Sequence, residues 1–362
     1  MKKALIAMSG GVDSSVAAAL MLERGYECIG VTMKLYDNDE IGISREKTCC
    51  SLDDIEDARS VARKLGFPYY VFNFREDFQE KVIDKFVDSY MHGITPNPCI
   101  DCNRYLKFEQ LYMRAVELGC DTIVTGHYAR IRYNEANKRY VLMKGTDPEK
   151  DQSYVLYSLT QEQLAHTVFP LGELDKSEVR KIAESKGLLN AHKHDSQDIC
   201  FVPDGDYKHF IEKYTGRTCP EGNFVDEDGN VLGHHNGICN YTIGQRKGLG
   251  IAFGHPVFVS EIRPDTNEVV LSGNESLLGR ECTAGDFNWI AYDKPADAVR
   301  VAGKIRYRAK EAAGTAVCDG DKVHMTFDVP QRAITYGQAL VLYDGDNVVG
   351  GGTICGKGRG ET

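Results

Sequence analysis

Residues 7–15 read "AMSGGVDSS", Ala7 to Ser15, between the apolar run "KKALIAM" and a segment from Ser14 to Arg24 spaced like a helix. A strand, a glycine turn and a helix in that order aim backbone N–H groups and a helix N-terminus at one point, which favours an anion. Gly10 and Gly11 let a phosphate approach the backbone with no Cβ in the way. The loop lacks the lysine of a Walker A motif, so it is a phosphate loop of another kind.

The same rhythm continues downstream. "ECIGVTM", "PYYVFNF" and "DTIVTG" read as strands. Helices are expected at Asp53 to Leu65, with Ser51 as N-cap, near Glu76 to Tyr90 and near Tyr105 to Leu118. Strands alternating with amphipathic helices predict a doubly wound parallel α/β sheet, a nucleotide-binding layout. After Val202 the texture changes to glycine, aspartate and short runs such as "EVVLSG", "KVHMTFDV" and "ALVLYDGDNVVGGG", which predict antiparallel sheet and hairpins. A chain of 362 residues exceeds the size at which one core stops growing, so two or three domains are expected.

The N-terminal apolar run is too short for a signal peptide or a membrane span, so a cytoplasmic protein is expected. A net charge of −10 argues against a nonspecific polyanion binder and leaves recognition through local basic patches open. In a reducing compartment twelve cysteines do not make a disulfide framework. A clustered pair is then metal-binding or catalytic, and the others are core or incidental residues. The pair lies in "TPNPCIDCN", residues 95–103, where C-x-x-C spacing suits zinc, a redox dithiol, an iron–sulfur cluster or a sulfur carrier. Cys49 and Cys50 are either a second thiol site or incidental.

S-G-G-x-D-S resembles the loop of the ATP pyrophosphatase (PP-loop) superfamily, which cleaves ATP between the α and β phosphates to adenylate an oxygen. On that resemblance Asp13 lies near the pyrophosphate and its Mg2+, and Ser9 and Ser14 supply hydroxyl donors. An adenylated carbonyl oxygen is a leaving group and a thiolate is a good nucleophile, so loop and thiols together suit replacement of C=O by C=S. "MSGGVDSS", "TPNPCIDCNRYLKF", "TGHYAR", "KDQSYVLY", "SQDICFV", "IGQRKGLGI", "KIRYR" and "GQALVLYDGDNVVGGG", in this order, resemble the tRNA-specific 2-thiouridylase family from the first strand to the last hairpin.

That resemblance implies thiolation of the second carbon of the wobble uridine in tRNAs for lysine, glutamate and glutamine, with ATP and Mg2+. It implies an adenine nucleotide alpha-hydrolase-like catalytic domain over residues 1–205, a small connecting domain over 206–275 and a C-terminal antiparallel β-barrel over 276–362. The ATP site takes Ala7, Met8, Ser9, Gly10, Gly11, Val12, Asp13 and Ser14, with Met33 and Gly126. Cys102 and Cys200 are the catalytic pair, the persulfide forming on Cys200. Asn97, Pro98 and Cys99 meet the flipped base. His127, Lys150, Asp151, Gln152, Arg306, Tyr307 and Gln338 meet substrate or tRNA. The sulfur donor would be a cysteine desulfurase or a persulfide or sulfide relay protein.

At position 99 the better-described branch of that family carries an aspartate as general base, and this chain carries a cysteine. Cys99, Cys102 and Cys200 then form a set of three, and related sulfur-inserting enzymes hold a 4Fe–4S cluster on three thiolates. Cluster and persulfide relay both stay open, as does a zinc site completed by His194. "KIRYRAK" at 304–310 is expected as a strand presenting Lys304, Arg306, Arg308 and Lys310 on one phosphate-facing side, with Tyr307 turned to the core. "GQRKG" at 244–248 is a basic loop, and His234 and His235 are expected at the surface. Two rivals share the loop: a PP-loop amidoligase, which needs no thiols, and a zinc-stabilised RNA-binding module, which spends no ATP.

Overall fold

The computed structural model describes residues 2–36, 52–191, 193, 199–203, 205–251 and 254–357. Cys49, Cys50, Ser51 and His194 lie outside them.

The first strand, β1 (Lys3–Ala7), runs through the middle of the first sheet. Its neighbours are β2 (Glu27–Lys34) and β4 (Thr122–Val124), with β3 (Tyr69–Asn73) and β7 (Thr167–Val168) at the edges. The five-stranded order is β3-β2-β1-β4-β7 and every pairing is parallel. Side chains alternate across β1: Leu5 joins one core with Phe78, Phe86 and Leu106, while Ala4 and Ile6 join a second with Val16, Ala17 and Ala58. Helices therefore cover both faces, which is why the strand reads as an unbroken apolar run.

On one face lie α1 (Val12–Glu23) and α2 (Leu52–Leu65). The other carries two long helical runs. The first, α3, spans residues 75–91 and is π-helical at Gln79–Asp84; the second, α4, spans 98–117 and is π-helical at Cys102–Gln110. The C-x-x-C motif was expected in a loop ahead of a helix. Instead the helix begins at Pro98, because Asn97 accepts from the Cys99 N–H at 3.2 Å as N-cap and proline suits the first helical position.

The C-terminal part is a closed six-stranded antiparallel barrel. Its order is β12 (Leu278–Trp289), β15 (Lys322–Arg332), β14 (Ala312–Asp319), β13 (Val299–Lys304), β16 (Ala339–Asp344) and β17 (Asn347–Gly356), with β17 returning to β12. Met325, Phe327, Leu340, Leu342 and Val349 fill its inside. Its outside packs on the first domain, where Val341, Tyr343 and Val348 share a core with Ile100, Phe108 and Tyr154. A hairpin from the first half of the chain, β5 (Ala129–Asn134) and β6 (Arg139–Lys144), extends this sheet through β17.

Between the two lies a small sheet, in order β10 (Phe258–Arg263), β11 (Glu268–Ser272), β8 (Gly222–Val225) and β9 (Val231–His235). It corrects two expectations. His235 is buried, with its ring nitrogens against the Asn267 carbonyl and the Gly237 N–H, so only His234 is at the surface. Cys219 and Cys239, taken as core or incidental, are joined in a disulfide, their Cα atoms 6.5 Å apart in one core. Among the described residues no helix is long and apolar enough to cross a membrane.

Candidate functional site

The glycine loop leaves β1 where the parallel sheet reverses its winding direction, the place where doubly wound sheets bind ligands. Gly10 has φ +72°, and a Cβ there would lie 2.5 Å from the Asp54 carbonyl oxygen, so only glycine fits. The Ser14 hydroxyl donates to the Gly11 carbonyl at 3.1 Å and accepts from the Ser9 N–H at 3.2 Å, which fixes the turn from inside. Gly126, just past β4, approaches the first turn of α1; a Cβ on it would meet the Ser14 nitrogen at 2.8 Å.

Distant residues hold the loop's charges. Both Asp13 carboxylate oxygens accept from the Lys176 ammonium at 2.8 Å, and Oδ1 also accepts from the Tyr128 hydroxyl at 2.8 Å. Lys176 opens α6 (Lys176–Ser185), whose capping box at Asp175 and Glu178 fixes its start; α5 (Gln161–Ala165) precedes it. Lys193 bridges Asp54 and Asp57 of α2 at 2.6 and 2.7 Å, and lies 3.4 Å from the Gly10 carbonyl. Burial alone would lower the Lys193 pKa, but its two carboxylates outweigh that and raise it. Asn190 donates to Gly10 O at 3.0 Å and to Ser15 Oγ at 2.8 Å. Apart from Tyr128, none of these partners belongs to a motif visible in the sequence. Tyr128, beside His127 in "TGHYAR", had a signal, and the lysines had none.

A cavity of about 1210 Å³ opens from this loop. Ala7, Met8, Ser9, Gly11, Val12, Asp13, Ser14, Met33, Gly126 and His127 line its floor. Its other wall carries Pro98, Cys99, Cys102 and Cys200, and its mouth carries Lys150, Asp151, Gln152, Lys304, Tyr307 and Arg308. Cys99 is exposed; Cys102 and Cys200 are half-buried. The Cys200 carbonyl accepts from the Tyr36 hydroxyl at 2.9 Å, and Phe201 anchors the segment among Phe78, Phe86 and Phe210.

Some named side chains have work inside the fold. Asp151 accepts from the Gly145 and Ser153 N–H groups, and the Gln152 amide oxygen accepts from the Tyr128 N–H at 3.0 Å. His127 is buried with Nδ1 2.7 Å from the Thr125 hydroxyl; burial and the nearby Lys107 hold its pKa well below 6.5, so the ring is neutral. Gln338 donates to the Thr95 and Pro96 carbonyls at 2.9 and 3.4 Å.

The charged row on "KIRYRAK" is corrected. β13 ends at Lys304, and residues 306–309 form a turn closed by the Ala309 N–H on the Arg306 carbonyl at 3.0 Å, so strand alternation stops there. Tyr307, expected in the core, is exposed at the cavity mouth, close enough to Cys99 for the thiolate to raise its pKa behind the larger effects of burial and Asp151. Lys304 lies 5.7 and 5.8 Å from the ring centres of Tyr154 and Tyr307. Arg246 and Lys247 of "GQRKG" are exposed as expected.

Three family models match the chain end to end: a tRNA methyl transferase HUP domain over residues 2–204, a tRNA methyl transferase PRC-barrel domain over 208–273 and an aminomethyltransferase beta-barrel domain over 279–354. A tRNA-specific 2-thiouridylase MnmA of Clostridioides difficile (strain 630) is 53% identical over 98% of both chains. One of Acetivibrio thermocellus is 53% identical over 98% of this chain and 99% of its own. Among solved structures, a 4-thiouridine synthetase–RNA complex with bound ATP is 24% identical over 56% of this chain and 45% of that one, at a TM-score of 0.37. With half of its residues shared over nearly its whole length, this chain belongs to the tRNA-specific 2-thiouridylase family.

Proposed function

We propose that the protein is an ATP-dependent tRNA sulfurtransferase that converts the wobble uridine of tRNAs for lysine, glutamate and glutamine to 2-thiouridine. The observation that carries this is the single cavity onto which the phosphate loop and three thiols open. An amidoligase would not need Cys102 and Cys200 there, and the family membership does not favour it.

ATP enters as substrate over the glycine loop, whose N–H groups and α1 N-terminus receive its phosphates. Uridine O2 attacks the α phosphorus, pyrophosphate leaves and the N3 proton is lost, giving an O-adenylated base. Because Lys176 takes both Asp13 oxygens, we assign Asp13 to holding that lysine and the loop, and Mg2+ to the phosphate oxygens it enters with. The outer sulfur of a Cys200 persulfide attacks C2, and AMP leaves with the former O2. Cys102 thiolate then attacks the Cys200 sulfur, releasing 2-thiouridine and leaving a Cys102–Cys200 disulfide for a reductant to reopen.

Among the described residues no three His, Cys, Asp or Glu side chains converge as metal ligands. Cys99, Cys102 and Cys200 all line the cavity and are the thiolates that would hold a cluster, but no step here runs through one. An iron count on anaerobically purified protein tests this assignment. The upstream donor is a cysteine desulfurase or a relay protein carrying a persulfide, and the compartment is the cytoplasm. Protein incubated with ATP, a persulfide donor and unmodified tRNA should yield 2-thiouridine and AMP in equal amounts. AMP without thiolated tRNA would overturn the reading.

A further inference from the structure

The segment "TPNPC" carries an unusual hydrogen-bonding deficit. In a β-turn the carbonyl of residue i is satisfied by the N–H of residue i+3. For Thr95 that residue is Pro98, which has no N–H. For Pro96 it is Cys99, whose N–H is already given to the Asn97 side chain at 3.2 Å. Two adjacent carbonyls in a loop with both prolines buried thus lack their local donors, and leaving them unpaired would be costly.

The missing donor comes from the barrel. The side-chain amide of Gln338, just ahead of β16, donates to Thr95 O at 2.9 Å and to Pro96 O at 3.4 Å. Thr95 N–H in turn donates to the Tyr336 carbonyl at 3.0 Å. The approach is close enough to require glycine between them: Gly337 has φ +86°, and a Cβ there would lie 2.9 Å from Thr95 O. A second tie lies further along the thiol helix, where Arg104 pairs with Asp286 of β12, its Nη2 at 3.3 Å from Oδ1. The small domain adds a third contact, Thr242 Oγ1 at 3.5 Å from Thr95 Oγ1.

We propose that Gln338 is a positioning residue of the catalytic loop: by satisfying the Thr95 and Pro96 carbonyls it sets where Asn97, Cys99 and Cys102 stand against the bound base. The barrel is then part of the scaffold of the sulfur site as well as a surface for RNA. Among the described residues the Gln338 amide oxygen has no hydrogen-bond partner, so the rival role is a tRNA contact through that atom, and the test separates the two.

Gln338→Met keeps the side chain's length without the donor, and Gln338→Glu places a carboxylate against two carbonyl oxygens. Both variants, shown folded by their thermal transition, are compared with wild type in three measurements. In single-turnover thiolation at saturating tRNA the rate should fall about 10-fold or more, since small misplacements at a reacting centre are costly. The tRNA Kd and its salt dependence should stay as in wild type. The rate of Cys99 alkylation by iodoacetamide in tRNA-free protein, followed by peptide mass spectrometry, should shift with the loop. Weaker tRNA binding with an unchanged rate at saturation would place Gln338 on the RNA surface alone and overturn the proposal, as would unchanged rate and alkylation. The kinetic readout rests on the thiolation reading; if wild-type protein made no 2-thiouridine, that reading would fail by itself, and the alkylation comparison would still decide the loop's anchorage.

Discussion

The phosphate loop and the proline loop face each other across one cavity and are built in opposite ways. The first is tied within its own domain: Ser14 to Gly11, Ser9 to Ser14, Asn190 to Gly10, and a glycine at 10 that no other residue can replace. The second cannot satisfy itself. Its prolines remove donors, and Gln338, Tyr336, Asp286 and Thr242 complete it from two other domains. On the proposed function, ATP handling is then a property of the first domain, whereas sulfur delivery depends on the whole chain being assembled. Deep substitutions in the barrel should reach the thiols before they reach the nucleotide.

The strongest way to break this contrast is to separate the two chemistries by mutation. Cys200→Ser and Cys102→Ser should each lower 2-thiouridine formation about a thousandfold or more, as loss of a nucleophile does, while tRNA-dependent adenylation, read as pyrophosphate release, continues. Radiolabelled ATP and nucleoside analysis of the tRNA would read both. Full thiolation by either variant would show that the cavity's thiols are not the sulfur path. Next in size, Asp13→Ala releases the Lys176 ammonium beside the loop and should lower AMP formation about 100-fold, with tRNA affinity kept. Loss of tRNA binding with normal AMP release would mean that the loop and the RNA surface are not separate.

These two regions also differ in how far the sequence discloses them. The glycine loop is legible because the hydrogen bonds that close its turn lie within a few residues, and strand, turn and helix announce themselves by period and composition. The thiols were legible as a motif, but their setting was not. Nothing near "TPNPC" points to Gln338, and the prolines signal only that donors are missing. Lys176 and Lys193 were missed for the same reason, since an ion pair across the fold leaves no local pattern. The failure at "KIRYRAK" is different: an alternating charge pattern is read as a strand, yet β13 stops at Lys304 and the chain turns. There the turn at 306–309 overrode the period, and it is the turn that brings Tyr307 to the cavity mouth.

Proton linkage sharpens the contrast on the nucleotide side. His127 is neutral because burial, then Lys107, hold its folded pKa below the ordinary 6.5. The unfolded chain therefore takes up a proton first as pH falls. The stabilising contribution is complete above about pH 6.5 and is lost below it, at up to about 1.4 kcal/mol per pH unit. Denaturant midpoints measured from pH 7.5 to 5 should fall accordingly, and His127→Gln should flatten the acid limb. An equal slope in the variant would assign the acid sensitivity to other groups.

The smallest effect concerns the RNA surface. With the strand ending at Lys304, Arg306 no longer belongs to a row of phosphate contacts; it is half-buried, and its carbonyl closes the turn that presents Tyr307 and Arg308. If its guanidinium still meets one phosphate, Arg306→Ala should weaken tRNA binding at low salt and reduce the slope of log K against log salt by about one, without changing the rate at saturation. Arg308→Ala should do the same. A double variant losing about two units of slope would describe two independent phosphate contacts flanking Tyr307. A single variant that lowered the thiolation rate at saturation and left the slope intact would show instead that the turn belongs with the proline loop, placing the base and not the backbone.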